Sequence, residues 1–254
     1  MKKIIIAIVL FLIFNFIIFS QEKYNFEKKN YISFNKDTLF YRFLKPKNFD
    51  ENKKYPLVIF LHGAGERGND NSKQLRNSVK IFAEKQEKYP CFVFVPQCPK
   101  KKRWVEVSWQ LKKHKQAKIS EPLQLTFEVL EKLLKNKNID KNRIYLTGLS
   151  MGGFGTWDFL SRFPEIFACG VPVCGGGDEE KANLIKDIPI WAFHGAKDKV
   201  VKVERSRNMI NAIKKFTENK CKYTEYKNLG HNCWTKTYNN DLLLEWIFSQ
   251  KKIK

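Results

Sequence analysis

Short apolar runs alternate with longer amphipathic segments along most of the chain. Apolar, β-branched and aromatic residues predict strands at residues 31–34, 38–44, 57–61, 91–95, 143–147, 167–173, 189–193 and 222–226. Helical spacing predicts helices at residues 75–89, 122–135, 153–163, 203–217 and 241–249. Pro96 and Pro164 are expected to end the strand and the helix before them.

The order of these elements predicts an α/β fold. The first two strands, joined by a turn at 35–37, form an antiparallel entry pair. Strands and helices then alternate, which favours a mostly parallel, doubly wound sheet with helices on both faces. Few residues separate Cys174 from Pro189, so no cap domain is expected between these two predicted strands.

The first 20 residues form a segment typical of export signals. Lys2 and Lys3 precede an apolar stretch at 4–19, and Ser20 is a small residue suited to signal cleavage. We therefore predict a signal peptide at 1–20, a single domain at 21–254 and export to the periplasm or the exterior, with no stable membrane association after cleavage. An uncleaved N-terminal membrane anchor is the alternative, although the stretch is slightly short for one.

The formal net charge of +21 raises the question of a nucleic-acid partner. The lysines are scattered along the chain among many Asn and Ile residues, which indicates a compositional bias, and no nucleic-acid-binding motif accompanies them. We therefore expect no nucleic-acid binding. The densest basic cluster, at 100–103 and continuing to Lys118, predicts a solvated loop, with attraction of an acidic substrate as the alternative.

The six cysteines and four histidines do not indicate a metal site, because their spacing matches no metal-ligand motif. No metal and no cofactor are expected. Some of the cysteines would be able to pair in an exported protein, but the sequence assigns no disulfide.

The run Gly148-Leu149-Ser150-Met151-Gly152 carries the strongest chemical signal. It follows a predicted buried strand and opens a predicted helix, the context of a nucleophile elbow. Glycines let the strand and helix pass closely, and the helix N-terminus places backbone N–H groups beside Ser150. An ordinary strand-to-helix turn is the alternative.

A nucleophilic serine needs a base, and that base needs an orienting acid. Asp198 and His231 each follow a predicted strand, so parallel strands would bring both to the sheet edge that carries Ser150. We predict Ser150 as nucleophile, His231 as general base and then acid, and Asp198 as the group that fixes the histidine tautomer. Asp178 and Asp187 compete for the acid role.

The other three histidines are expected to have no catalytic role. His62 and His194 precede glycine at predicted strand ends and are expected to shape loops, and His114 is expected to be solvated.

A tetrahedral intermediate also needs two N–H donors, an oxyanion hole. Met151, directly after the nucleophile, is predicted to supply one. The glycine-rich loop at 62–68 is predicted to supply the other through Ala64, with Gly63 or Gly65 as alternatives. A phosphate-binding loop is the competing interpretation, but the Lys-Ser/Thr ending of that motif is missing.

Together these segments resemble the α/β-hydrolase superfamily. The chain is most similar to its dienelactone-hydrolase and esterase branch: secreted predicted peptidases, phospholipase/carboxylesterase-like proteins and polyhydroxybutyrate-depolymerase-like esterases. The resemblance covers about residues 35–250 and rests on the segments at 61–68, 95–99, 148–156, 194–198 and 230–231. It implies the α/β-hydrolase fold and a Ser-His-Asp triad. Dienelactone hydrolases proper use cysteine, so Ser150 favours ordinary ester hydrolysis.

The expected function is that of a secreted serine esterase acting through an acyl-enzyme. Trp104 and Trp109, in the irregular stretch 96–120, are predicted to form one wall of the cleft, with loop packing as the alternative. Export, an open cleft and aromatic walls suit short-chain or carbohydrate-linked acyl esters such as acetyl or feruloyl esters. The alternatives are a serine peptidase for short peptides and a non-catalytic binding module on a hydrolase scaffold.

Overall fold

An eight-stranded sheet forms the centre of residues 24–217 and 220–252, the part of the chain that the computed structural model describes. The signal peptide predicted at 1–20 lies outside the described residues. The strand order is β1-β2-β4-β3-β5-β6-β7-β8. The strands are β1 (Glu27–Ile32), β2 (Thr38–Leu44), β3 (Tyr55–Leu61), β4 (Phe92–Gln97), β5 (Ile139–Leu149), β6 (Cys169–Val173), β7 (Ile190–Gly195) and β8 (Cys221–Tyr226).

The sheet is mixed in the way the sequence predicts. β1 pairs with β2 and β2 with β4 in antiparallel fashion, whereas all pairs from β4 to β8 are parallel. The antiparallel entry pair is therefore confirmed. Its first strand begins and ends earlier than predicted, because Phe34 lies beyond the strand with its side chain fully in solvent.

Helices cover both faces of the sheet. They are α1 (Ile81–Glu84), α2 (Glu121–Leu133), α3 (Met151–Arg162), α4 (Glu204–Lys214), α5 (Trp234–Tyr238) and α6 (Asp241–Ser249), with 3-10 turns at Ala64–Glu66, Lys73–Leu75 and Glu179–Ile185. Alternate residues of β3 enter opposite cores. Ile59 packs with side chains of α2, α3 and α4, and Phe60 packs with side chains of α1 and α6. The predicted doubly wound architecture is confirmed.

Two predictions about local structure are wrong. The helix expected at 75–89 is reduced to the single turn α1, because Ser78 adopts a left-handed conformation (φ 58°) that interrupts a helix. Pro96 does not end its strand. β3 pairs only with residues 92–94 of β4, so at position 96 β4 has a neighbouring strand on one side only, β2. The N–H that Pro96 lacks is therefore not needed for pairing with β3.

No inserted domain separates β6 from β7, since only the 3-10 turn Glu179–Ile185 lies between them. The carboxyl ends of β3, β5, β7 and β8 are therefore free to carry a site. Within the described ranges, no helix is long and apolar enough to cross a membrane.

Candidate active site

Ser150 lies on a strained turn between β5 and α3. Its backbone has φ 54° and ψ −117°, a conformation that L residues adopt at a cost of about 1–3 kcal/mol. The turn is possible because positions 148 and 152 are glycines: a Cβ atom at position 148 would lie 2.5 Å from the carbonyl oxygen of Gly152. The strand-to-helix turn thus projects the Ser150 side chain at the carboxyl edge of the sheet.

The structure brings Ser150, His231 and Asp198 together in one chain of hydrogen bonds. Ser150 Oγ lies 2.8 Å from His231 Nε2, and His231 Nδ1 lies 2.7 Å from Asp198 Oδ2. The Asp198 side chain is fully buried, and the His231 side chain keeps 20% of its surface exposed. These three side chains come from loops after β5, β7 and β8, as the positions of the predicted strands indicated.

The Asp198 carboxyl is held in its ionised form. Burial by itself would raise its pKa, but hydrogen bonds from His194, His231 and Val201 N–H outweigh burial and keep the pKa well below its ordinary value. Its other oxygen accepts hydrogen bonds from Val200 N–H (2.8 Å) and Val201 N–H (2.9 Å). A carboxylate on Nδ1 requires that nitrogen to carry the proton, so Nε2 of neutral His231 is left to accept from Ser150.

The competing acids lie elsewhere. Asp178 accepts from Glu180 N–H and from Gln116 N–H, which lies 2.8 Å from its Oδ2. Both of its oxygens therefore hold loop backbone. Asp187 precedes β7 and so lies at the opposite edge of the sheet from Ser150.

The two backbone N–H groups predicted to form an oxyanion hole each open a helical turn. Met151 is the first residue of α3, and Ala64 is the first residue of the 3-10 turn that follows β3. The N–H groups that open a helix have no acceptor within it, so both are available to a ligand.

His62 braces the loop that carries Ala64. The Cys98 N–H donates to His62 Nε2 (2.9 Å), so in the neutral ring Nδ1 carries the hydrogen and donates to Gly63 O (2.6 Å). Burial lowers the pKa of His62 to about 4, which keeps the ring neutral. The prediction that His62 shapes a loop agrees with these contacts.

The predicted aromatic wall is only half compatible with the structure. Trp104 is fully buried, and its indole N–H donates to His62 O (2.9 Å), so the prediction that it lines the cleft is wrong. The cause is that Trp104 fills the space beneath the loop at 62–66. Trp109 is half-buried and lies under the guanidinium of Arg103, so its role as a wall stays a prediction.

His114 is not solvated as expected. It is half-buried against the ring of Phe154, and its Nδ1 accepts a hydrogen bond from Arg205. Burial and the Arg205 charge lower the pKa of His114 to about 4. Arg205 is itself fully buried and also donates to Gly177 O and Leu111 O. These contacts anchor the basic loop beside α3.

Sequence reasoning missed two residues at the site. His194, which was expected to shape a loop, is buried in β7 with Nε2 3.1 Å from Asp198 Oδ2. Trp234, the first residue of α5, packs perpendicular to His231 with ring centres 5.3 Å apart. The signal that would have found His194 is its position four residues before the candidate acid, since both then lie at one strand end.

Ligand atoms of Cys174, Asp198 and His231 lie within 4.8 Å of one another, a spacing that metal ligands also show. Burial raises the pKa of the Cys174 thiol well above its ordinary value, and metals bind the thiolate. Asp198 and His231 are moreover hydrogen-bonded to each other. The donor set thus fits a proton relay better than a metal site. All six cysteines are buried free thiols.

Residues 49–240 match the profile of the family described as Phospholipase/Carboxylesterase. The chain belongs to the phospholipase/carboxylesterase family. This family member is 41% identical in sequence to a thermostable esterase of known structure, with a TM-score of 0.83 over 90% of this chain and 64% of that chain.

One further relative and one structural neighbour are similar to this phospholipase/carboxylesterase-family chain. It is 25% identical over 160 residues to a bifunctional acetylxylan esterase/xylanase from Neocallimastix patriciarum, covering 63% of this chain and 21% of that protein. A feruloyl esterase module from Clostridium thermocellum, complexed with sinapinate, is 17% identical with a TM-score of 0.63, over 91% of this chain and 90% of the module. That likeness shows the shared fold alone. The chain spans about a fifth of the acetylxylan esterase/xylanase and less than two thirds of the thermostable esterase.

Proposed function

We propose that this protein hydrolyses carboxylic esters with Ser150 as nucleophile. The observation that carries the proposal is the unbroken hydrogen-bonded chain from Ser150 through His231 to the ionised Asp198. A serine hydroxyl is a weak nucleophile near neutral pH, and a neutral imidazole at 2.8 Å is placed to remove its proton as it attacks.

In the first half-reaction, Ser150 Oγ attacks the ester carbonyl while His231 Nε2 takes the hydroxyl proton. The Ala64 and Met151 N–H groups stabilise the negative charge that develops on the carbonyl oxygen. His231 then gives its proton to the departing alcohol, which leaves an acyl group on Ser150. Asp198 stabilises the transient imidazolium without taking its proton.

In the second half-reaction, water takes the place of the alcohol. His231 accepts a proton from water, the resulting hydroxide attacks the acyl carbonyl, and the same two N–H groups hold the oxyanion. Collapse returns the proton to Ser150 Oγ and releases the carboxylic acid, so the enzyme ends as it began.

The proposed substrates are short-chain or carbohydrate-linked acyl esters, such as acetyl and feruloyl esters. The short β6–β7 connection supports an open site, which bulky alcohol groups need. The names of one relative, an acetylxylan esterase/xylanase, and of one structural neighbour, a feruloyl esterase module, point the same way. The half-buried Trp109 offers an aromatic surface for a planar acyl group.

We further propose that residues 1–20 direct export, on the strength of the basic start and the apolar stretch. Expression in a bacterial host, followed by mass measurement of the secreted chain, tests this. A chain beginning at Gln21 supports cleavage, and retention in the membrane fraction supports the anchor.

The function is tested with residues 21–254, which contain every described element. The substrates are p-nitrophenyl acetate, butyrate and laurate, methyl ferulate, acetylated xylan and a chromogenic dipeptide. The Ser150→Ala variant should lose nearly all turnover. Ser249→Ala, an exposed serine at the opposite edge of the sheet, is the matched control and should keep it.

Ester turnover that depends on Ser150 and exceeds peptide turnover supports the proposal. Cleavage of the dipeptide with weak ester turnover would instead identify a serine peptidase. An inactive but folded protein across the whole panel would favour the binding module.

A further inference from the structure

Asp198 Oδ2 accepts hydrogen bonds from two histidines rather than one. His231 Nδ1 lies 2.7 Å from this oxygen, and His194 Nε2 lies 3.1 Å from it. The carbonyl oxygen of Val201 is also 3.1 Å from His194 Nε2. Because both neighbours of His194 Nε2 are acceptors, that nitrogen carries a hydrogen.

The other side of the His194 ring is held as firmly. With its hydrogen on Nε2, the neutral ring accepts at Nδ1 from the Ser206 hydroxyl, whose Oγ lies 2.7 Å away. The ring is therefore tied to α4, and its side chain has no exposed surface. Rotation of the ring would break contacts at both nitrogens, so His194 has one orientation relative to Asp198.

We propose that His194 is a positioning residue whose hydrogen bond to Asp198 weakens the interaction of that carboxylate with His231. His231 then loses its proton at a lower pH than it would without the His194 hydrogen bond. The inference rests on the proposed function, in which neutral His231 is the active form. A carboxylate stabilises the imidazolium of its partner most when no second donor shares it. Sharing Oδ2 weakens that stabilisation and enlarges the neutral, active fraction of His231 in mildly acidic solution.

The charged groups around His194 leave Asp198 as its main anionic partner. Glu225 lies opposite His194 in the β7–β8 register, but both of its oxygens accept from Arg207 of α4. Cys174, directly after β6, is a neutral thiol. Arg205 of α4 is directed at His114 and the carbonyl groups of Leu111 and Gly177. Asp198 is thus the anion near His194 that no arginine or lysine pairs with.

The test compares two substitutions at one position. His194→Phe keeps a flat ring and removes the donor, whereas His194→Gln keeps an N–H group that can reach Asp198. The kcat/KM for p-nitrophenyl acetate is measured from pH 5 to pH 9. With His194→Phe, the acid limb of the profile should move to higher pH by about 0.4–1 unit, the equivalent of one hydrogen bond. With His194→Gln, the limb should return toward the wild-type position.

His114→Phe is the matched control, because His114 contacts Arg205 and not Asp198. Its acid limb should stay where the wild-type limb lies. If His194→Phe lowers kcat at every pH without moving the limb, or moves it to lower pH, His194 has only a structural role and the proposal is overturned.

An NMR titration covers the case in which His194→Phe does not fold or no ester is turned over. The imidazole resonances of His231 are followed with pH in wild type and His194→Gln, and their midpoints should agree; a clear difference between them counts against the proposal. Asp198→Asn is examined in the same way for the His194 Nε2–H resonance. That resonance should shift upfield in Asp198→Asn, since the charged acceptor is lost; an unmoved resonance overturns the proposal. Failure of ester hydrolysis alone would refute the proposed function, whereas the NMR measurements would still decide whether His194 donates to Asp198.

Discussion

Gly152 passes so close to Leu61 that a Cβ atom at position 152 would lie 1.9 Å from the Leu61 carbonyl oxygen. The contact joins the first turn of α3 to the last residue of β3. Met151 is the first residue of α3, and Ala64 lies in the loop that follows β3. The nucleophile and the loop predicted to hold the oxyanion are thus set against each other by backbone packing.

Gly152→Ala should therefore unfold the protein or displace Ser150. Overpacking usually costs about 1–3 kcal/mol, and here the clash is with backbone, which cannot rotate away, so we expect a loss above about 3 kcal/mol. Urea unfolding followed by circular dichroism measures it. Gly65→Ala is the control, because nothing lies within 4 Å of a Cβ atom there, and its stability should change by less than about 0.5 kcal/mol. A Gly152→Ala protein as stable as the control would contradict the packing argument.

The parts of the site that sequence could predict are those written into local patterns. Ser150 follows a strand and opens a helix, and Asp198 and His231 each follow a strand, so the parallel sheet alone brings them to one edge. The continuous apolar runs likewise predict that helices cover both faces of the sheet, because a parallel strand buried on both faces has no polar side.

The parts that sequence could not predict depend on contacts between distant segments. Trp104 is buried because the loop at 62–66 lies over it, and His114 is held by Arg205, 91 positions along the chain. Neither partner is visible in the local pattern. The helix expected at 75–89 fails for another reason: the backbone of Ser78 turns left-handed, which residue type alone does not announce.

Asp198→Asn should lower kcat for ester hydrolysis by about 10⁴-fold while leaving the fold intact, by analogy with the serine-protease template. An amide cannot hold the Nδ1–H tautomer of His231 or stabilise its imidazolium. Steady-state kinetics with p-nitrophenyl acetate measures the loss. Asp178→Asn, whose oxygens serve loop backbone, should keep activity near wild type. Near-full activity of Asp198→Asn would place the acid elsewhere.

Trp104 and Trp109 should respond to substitution in different ways. Trp104→Phe leaves His62 O without its 2.9 Å donor, so stability should fall by about 1–3 kcal/mol and all esters should be affected alike. Trp109→Ala should instead raise KM for methyl ferulate relative to p-nitrophenyl acetate, if its half-buried ring contacts the acyl group. Equal kinetics on both esters would remove Trp109 from the substrate site. Thermal unfolding of the same two proteins separates the structural effect from the kinetic one.

His62 should make the protein less stable as the pH falls. Burial lowers its pKa to about 4 in the folded protein, whereas an unfolded histidine has a pKa of about 6.5. Between these two pKa values the unfolded chain binds a proton at His62 and the folded protein does not. The free energy of unfolding therefore decreases as the pH falls from about 6.5 toward 4.

Between pH 7 and pH 5 this linkage should remove about 2 kcal/mol of the free energy of unfolding, from about 1.4 kcal/mol for each pH unit below 6.5. The lowered pKa of Asp198 adds little in this window, because both its folded and its unfolded values lie below pH 5. Urea unfolding at the two pH values measures the difference. His62→Asn should be less stable at pH 7 and lose the His62 share of the pH dependence, about 2 kcal/mol. His114, whose pKa is also lowered to about 4, contributes a separate share, so His114→Asn should keep the share that His62 contributes. Equal pH dependence in wild type and His62→Asn would show that His62 is not the group that acid protonates.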